Sequence, residues 1–255
     1  MSGTSWAIAA ETGCEAPARA LAAHTGRPLV EIESSEHQFL LVLTPERLEL
    51  RYTATGAPGP LYADFTSGVM RQRLRTTGKR SLVGRALGFS RKPPARVVDA
   101  TAGLGQDGFV LAALGCRITL IERQLPFFLL VEEGLRRAAS DPELAPITER
   151  ITLAHADARH WLNELPDEER PDAIHLDPMY PARTKSALSG KAMQLAQRLA
   201  GKDEDAGELL EAALACARHR VAVKRPLRAA PITGDLPDFQ LSGRKTRYDI
   251  YLTHA

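Results

Sequence analysis

Cysteine is scarce in this 255-residue chain: Cys14, Cys116 and Cys216 are the only three. They form no metal-ligand spacing and leave one thiol over, which excludes a disulfide-stapled scaffold and argues against a zinc site. A reducing cytoplasm fits them best. No N-terminal basic-then-apolar signal appears, and no apolar run reaches the roughly 20 residues that a membrane helix needs. Internal repeats and low-complexity tracts are missing too. Acid is absent over one long stretch: between Asp64 and Asp99 there is no Asp or Glu, while Arg71, Arg73, Arg75, Lys79, Arg80, Arg85, Arg91, Lys92 and Arg96 all occur there. The formal net charge of +2 conceals this local excess. Such a patch attracts polyanions, and its length without an acid exceeds what solubility requires.

What is present is an ordinary globular composition, 44% hydrophobic and 25% charged, enough for one large core with a small appendage. From Ser2 to His24 the pattern is Ala-rich and weakly helical. "HQFLLVLTPERLEL" then reads as two short strands around a Thr44-Pro45 turn, which together predict a small N-terminal α+β extension over residues 1–92. Pro93 and Pro94 in "SRKPPAR" break any helix there. Beyond them, over 93–255, strands and helices alternate. Arg96 to Ala100 is a strand, Asp107 to Leu114 a helix, "CRITLIE" a strand, and Pro126 opens a helix to about Ala139. "RITLAHA" and "DAIHLD" are further strands, "DAGELLEAALACARH" is an amphipathic helix, and "RVAVK" is a fifth strand. That alternation predicts an α/β fold with a parallel sheet covered by helices on both faces and a ligand site at the carboxyl ends of the strands. "RYDIY" near the chain end alternates as a strand, with Tyr248 and Tyr251 as packing residues.

The chemistry concentrates at those strand ends. "VVDATAGLGQDG" holds Gly103, Gly105 and Gly108 in G-x-G-x-x-G spacing, a tight strand-to-helix turn. Asp99, Glu122, Asp157 and Asp177 each follow a strand, and Glu122 lies 19 residues after Gly103, where an acid accepts hydrogen bonds from ribose hydroxyls. A nicotinamide dinucleotide would bring two phosphates beside Asp99 and Asp107, a like-charge repulsion on the order of kcal/mol in a partly buried site. S-adenosylmethionine has no phosphate and carries a sulfonium and an ammonium that carboxylates favour. His155 and His175 lie in or beside apolar strands without a second ligand at metal spacing, and read as packed or hydrogen-bonded histidines.

"HLDPMYP", His175 to Pro181, resembles the Asp-Pro-Pro-Tyr motif of methyltransferases that modify exocyclic amines of nucleobases, with Met179 in place of the second proline. Such an amine is a poor nucleophile because its lone pair is delocalised into the ring. Asp177 and the main-chain carbonyl of Pro178 can accept its hydrogens while Tyr180 stacks on the base. "DATAGLGQD", "LIER", "LDPMYPARTKSAL", "VAVKRP", "GRKTRYDIY" and, upstream, "LVLTPERLEL" and "ADFTSGVMRQR" are similar to the RsmJ family of small-subunit ribosomal RNA guanine-N2 methyltransferases, from about Phe39 onward. The resemblance implies a seven-stranded class I (Rossmann-like) methyltransferase fold. It also implies methyl transfer from S-adenosylmethionine to one guanine of 16S rRNA, free or in the small subunit. Carried onto matching positions, the cofactor contacts are Gln106, Asp107, Glu122, Arg123, Ala156, Asp157 and Asp177, beside Asp99, Gly103 and Gly105 of the turn. Gln106 stands where the family often has arginine. Candidate RNA contacts are Arg71, Arg73, Arg75, Lys79 and Arg80, with Lys185, Lys224 and Arg225. Two readings of other classes use the same features: a nicotinamide-dependent oxidoreductase, and a non-catalytic RNA-binding assembly factor. Adenine N6 is the competing methyl acceptor.

Overall fold

Strands form where β-branched and aliphatic residues run together, and among the described residues two sheets result. The structure, a computed structural model, describes residues 5–57, 59–178, 199, 205–232 and 236–253. In chain order the elements are β1 (Trp6–Ala10), α1 (Glu15–Thr25), β2 (Phe39–Leu43), β3 (Leu48–Tyr52), α2 (Gly68–Thr76), α3 (Leu82–Ala86), β4 (Arg96–Asp99), α4 (Gln106–Ala113) and β5 (Arg117–Glu122). They continue with α5 (Leu125–Ala139), α6 (Ala145–Thr148), β6 (Ile151–His155), α7 (Ala158–Asn163), β7 (Ala173–Leu176), α8 (Ala206–Cys216), β8 (Arg220–Pro226), β9 (Phe239–Ser242) and β10 (Thr246–Leu252).

The larger sheet has seven strands in the order β6-β5-β4-β7-β8-β10-β9. β6, β5, β4, β7 and β8 are parallel; β10 runs antiparallel to both β8 and β9. The expected parallel sheet is therefore mixed at one end. Strand order reverses between β4 and β7, and the crevice for a ligand lies there. Period-2 alternation sends Val97, Ile118 and Leu120 to one face, against Phe109 and Leu111 of α4 and Leu130 of α5. Val98, Ile121 and Ile174 go to the other face, against Leu162 of α7 and Leu210 and Ala213 of α8.

The N-terminal segment read as weakly helical opens instead with a strand. Trp6, Ala7, Ile8 and Ala9 are all buried and pair in parallel with β2, while β2 pairs antiparallel with β3. Sheet pairing and burial on both sides outweigh the helix propensity of alanine at these positions. Trp6, Ile8, Phe39, Leu41 and Phe65 share one continuous apolar cluster with Phe109 and Val131 of the larger layer, and the Phe65 and Phe109 rings stack at 4.5 Å. Gly134 of α5 permits this approach, because a Cβ there would lie 2.9 Å from both Cβ and the carbonyl oxygen of Ala63. The basic stretch is helical in part. The Ser67 hydroxyl accepts from Met70 N–H at the start of α2, and Ser81 does the same for Gly84 at the start of α3. Among the described residues no helix is long and apolar enough to cross a membrane.

Candidate active site

Each of β4, β5 and β7 delivers an acid to the same rim: Asp99 ends β4, Glu122 ends β5, and Asp177 follows β7. Asp157, two residues past β6, joins them as the N-cap of α7. All four line one cavity of about 510 Å³, together with Gly103, Gln106, Asp107, Arg123, Ala156, His175 and Lys224. The turn that shapes one wall needs glycine twice. Gly103 and Gly105 have φ of +55° and +71°, and a Cβ on Gly105 would lie 3.2 Å from both Phe65 and Val131. At Gly103 a Cβ would meet no protein atom within 4 Å, so the space beside this cavity-lining residue is left open.

Glu122 is 8% exposed. Its carboxylate accepts from Gly103 N–H at 2.9 Å and Gln124 N–H at 2.7 Å, with lone pairs to spare. Burial pushes its pKa up to about 7, against those two N–H donors, which hold it down. Asp157 accepts from Arg159 N–H at 3.0 Å and pairs with the Arg159 side chain at 2.6 Å. The Arg159 guanidinium holds its carboxyl down at about 2. Arg123 pairs with Asp205 at 2.6 Å.

A second group gathers around Lys224, whose side chain lines the cavity. Its Nζ lies 2.8 Å from Asp107 Oδ2 and 2.8 Å from Asp177 Oδ2. Asp107 also pairs with Arg73 of α2. Burial favours a high pKa for Asp107, but Lys224, His175 and Arg73 together hold it below the usual carboxylate range. Burial likewise dominates at Asp177 and there prevails, pushing its carboxyl up against the pull of Lys224 and His175. The Asp177 N–H donates to Thr101 Oγ1 at 2.6 Å, which ties the start of the Asp-Pro segment to the glycine turn. His175 is 1% exposed, with Nδ1 3.2 Å from Asp99 Oδ1 but off the line of a hydrogen bond. Burial disfavours its charged form, yet Asp99, Asp107 and Asp177 raise its pKa overall.

The remaining expected residues divide. Pro178 is buried beside Asp177; Tyr180 and Lys185 lie outside the described residues. Arg225, expected to reach RNA, is 1% exposed and donates to the carbonyl of Ala230, so it is an interior residue. Strand alternation decides this: with Lys224 aimed at the cavity, its neighbour turns into the opposite face. In α2, Arg71 pairs with Asp141 and Glu143, and Arg73 with Asp107, while Arg75, Lys79 and Arg80 are exposed. A helix does not align residues two apart, so the Arg71-Arg73-Arg75 alternation makes no single face. Polar cavity residues that sequence reasoning left out include Thr101, Gln124, Arg159 and Asp205, with His175, which was read as a packed or hydrogen-bonded histidine. His175 and Lys224 lie near the carboxyl ends of β7 and β8, close to where the rule that exposed the acids looks. Arg73 carries no such signal, because only tertiary packing brings α2 against α4.

The donor set discriminates among cofactors. Among the described residues, six carboxylates line the cavity (Asp99, Asp107, Glu122, Asp157, Asp177 and Asp205) against Arg73, Arg123, Arg159 and Lys224. Every one of those cations already has an acidic partner. Among the described cavity residues no arginine or lysine is left for a pyrophosphate, whereas a diol suits Glu122 and a cationic ligand suits their acidic surplus. The residues fit S-adenosylmethionine and disfavour a dinucleotide.

Comparison with known proteins bears on the same region. Residues 27–253 match a protein family described as "Putative SAM-dependent methyltransferase". The chain is 48% identical over 237 residues to Ribosomal RNA small subunit methyltransferase J of Thioalkalivibrio sulfidiphilus, covering 92% of each protein. It is also 48% identical over 240 residues to the protein of that name from Nitrosococcus oceani, covering 93% of this chain and 94% of the relative. A crystal structure of a SAM-dependent methyltransferase from Neisseria gonorrhoeae superposes with a TM-score of 0.75 at 34% identity, covering 97% of this chain and 96% of that one.

Proposed function

Because the chain belongs to the ribosomal RNA small subunit methyltransferase J family, we propose that it methylates the exocyclic N2 of one guanine in 16S rRNA, in the cytoplasm, with Asp177 and Pro178 receiving the amine. The protein is a SAM-dependent methyltransferase of ribosomal RNA with the Rossmann-like fold of that class. The observation that best supports the finer reading is that Glu122, with lone pairs for a ribose diol, and Asp177, at the head of the Asp-Pro-Met-Tyr segment, line one cavity.

S-adenosylmethionine supplies an electrophilic methyl carbon on a cationic sulfur. The protein's own part is placement and charge. Asp99, Gly103, Gly105, Gln106 and Asp107 form the wall for the methionine end, Glu122 takes ribose hydroxyls, and Arg123, Ala156 and Asp157 border the base. Asp177 and the Pro178 carbonyl hold the amine hydrogens in the ring plane, so the lone pair stands out of it. As the nitrogen gains positive charge, a carboxylate already aimed at it stabilises that charge without reorganising. Asp177 also sits where it can take the proton that alkylation makes acidic. Tyr180 stacks on the base. The extension at 1–92 contributes RNA contacts through exposed Arg75, Lys79 and Arg80, Lys185 is a further candidate cation, and phosphate neutralisation supplies affinity rather than choice of atom.

The test is nucleoside mass mapping after incubation with cofactor and unmodified small subunits. Methyl on guanine N2 is expected in the wild type. Asp177→Asn should lower turnover by about 10²-fold or more and leave cofactor affinity within about threefold. Methyl on adenine N6, or full turnover in the variant, overturns the reading.

A further inference from the structure

We propose that Lys224 is a specificity-determining residue whose ammonium reads O6 of the target guanine while Asp177 receives its N1–H and N2–H. This rests on the reading that the amine is guanine N2 and is held by Asp177. The ammonium has three donors. Among the described residues two of them are engaged, by Asp107 Oδ2 and Asp177 Oδ2, each at 2.8 Å. Nζ lines the cavity with a quarter of the side chain exposed, so a third donor can meet a ligand. Asp107, pinned in turn by Arg73, keeps the ammonium beside Asp177 rather than out in solvent.

Along this edge of the site the groups run acceptor, acceptor, donor: the two Asp177 oxygens, then Lys224 Nζ next to Oδ2. The Watson–Crick edge of guanine runs donor, donor, acceptor: N2–H, N1–H, O6. A carboxylate's two oxygens match the spacing of two adjacent N–H groups, as they do when a carboxylate takes a guanidinium bidentately. With Asp177 so engaged, O6 falls toward the position of Nζ. Adenine presents only a donor and an acceptor on that edge, and would leave one Asp177 oxygen without a partner. The arrangement thus uses all of guanine's edge and only part of adenine's, and a site built to hydrogen-bond a substrate group rejects the analogue lacking it.

The experiment is a cycle between one residue and one substrate atom. Wild type and Lys224→Met are assayed on small-subunit ribosomal RNA transcribed with guanosine or with 6-thioguanosine, offered naked and as reconstituted subunits. Sulfur replaces O6 by a weak acceptor and leaves N1–H and the amine in place. Wild type should lose about tenfold in kcat/KM on the thio substrate, the worth of one charge-assisted hydrogen bond. Lys224→Met, slower on both RNAs because Asp177 has lost its partner, should show a sulfur effect within about twofold of unity. Lys224→Arg keeps a donor and should retain discrimination. A sulfur effect equal in wild type and Lys224→Met assigns Lys224 to charge balance alone and overturns the proposal. If Lys224→Met fails to fold, absence of a sulfur effect in wild type overturns it equally. Methyl found elsewhere than guanine N2 removes the underlying reading, and the proposal falls with it; that outcome is visible in wild type on unmodified guanosine RNA before any variant is used.

Discussion

Replacing Glu122 by Gln changes one oxygen into an amide NH2 and leaves the shape nearly intact, so its consequences follow from hydrogen bonding and charge. The two oxygens accept from Gly103 N–H at 2.9 Å and Gln124 N–H at 2.7 Å. Whichever way the amide turns, its NH2 faces one of those donors, and a backbone N–H in a buried setting loses its acceptor at a cost of about 1–3 kcal/mol. Hydrogen bonds from a ribose diol to a carboxylate also become neutral ones, about half as strong. Affinity for S-adenosylmethionine should therefore fall by about 10- to 100-fold, or about 1.5–3 kcal/mol. The pH dependence separates this from simple damage. With a carboxyl titrating at about 7 in the free protein, wild-type affinity should weaken as pH falls below 7, approaching tenfold per unit. The variant lacks this titration. The cofactor's own amino group titrates in both experiments and cancels in the ratio of the two affinities. Stability of the free protein follows the same group with the opposite sense. The folded carboxyl holds its proton more tightly than an unfolded one with a reference pKa of 4.5. Between pH 4.5 and 7 the folded state thus binds more protons, and stability falls as pH rises, by up to about 3 kcal/mol. Glu122→Gln should lack that decline in thermal melts. Calorimetric titration at pH 6, 7 and 8 with parallel melts decides the matter. Wild-type affinity in the variant, or a ratio of affinities that does not change with pH, refutes the assignment of Glu122.

Gly134→Ala adds a Cβ 2.9 Å from the Ala63 carbonyl oxygen, and the overpacking should outweigh the gain in helix propensity for a net loss of about 1–2 kcal/mol in urea unfolding; an unchanged midpoint would show that α5 and the 63–65 segment do not meet. Arg75, Lys79 and Arg80 changed together to Ala should lower the slope of log affinity for RNA against log salt by about 2, roughly 0.7 for each lost phosphate contact. Arg71→Ala, whose guanidinium serves Asp141 and Glu143, should leave that slope unchanged and shift thermal stability by less than about 1 kcal/mol. The reverse pattern would place the RNA contact at Arg71.

The acids at the strand ends were legible in the chain because each follows a short apolar strand, and a parallel sheet brings successive strand ends to one rim whatever the side chains do. Glu122 could be singled out by distance from Gly103 alone. The motif beginning at Asp177 was legible for a different reason: it directly follows a buried strand and resembles the Asp-Pro-Pro-Tyr motif of amine-modifying methyltransferases. β1 was not legible, since "WAIAA" carries no period that distinguishes a buried strand from a buried helix turn, and only β2 beside it decides. The antiparallel end of the larger sheet was half visible: β10 alternates over seven residues, whereas β9 has only four, none of them buried, and takes its place as a strand through the ladder with β10.

By itself, then, the order of residues determined the α/β alternation, the glycine turn, the four acids and the acceptor segment, since all of these depend on neighbours within a few positions along the chain. Tertiary structure decided which cations those acids meet. Lys224 and Arg225 are adjacent and both cationic, yet one side chain enters the cavity to bridge Asp107 and Asp177 and the other is buried on the opposite side. Arg73 and Arg75 part in the same way, one bound to Asp107 and the other exposed. The physical reason is that backbone periodicity, a half-turn per residue in a strand and about 100° in a helix, assigns alternate faces, while what waits on each face is set by elements distant in sequence.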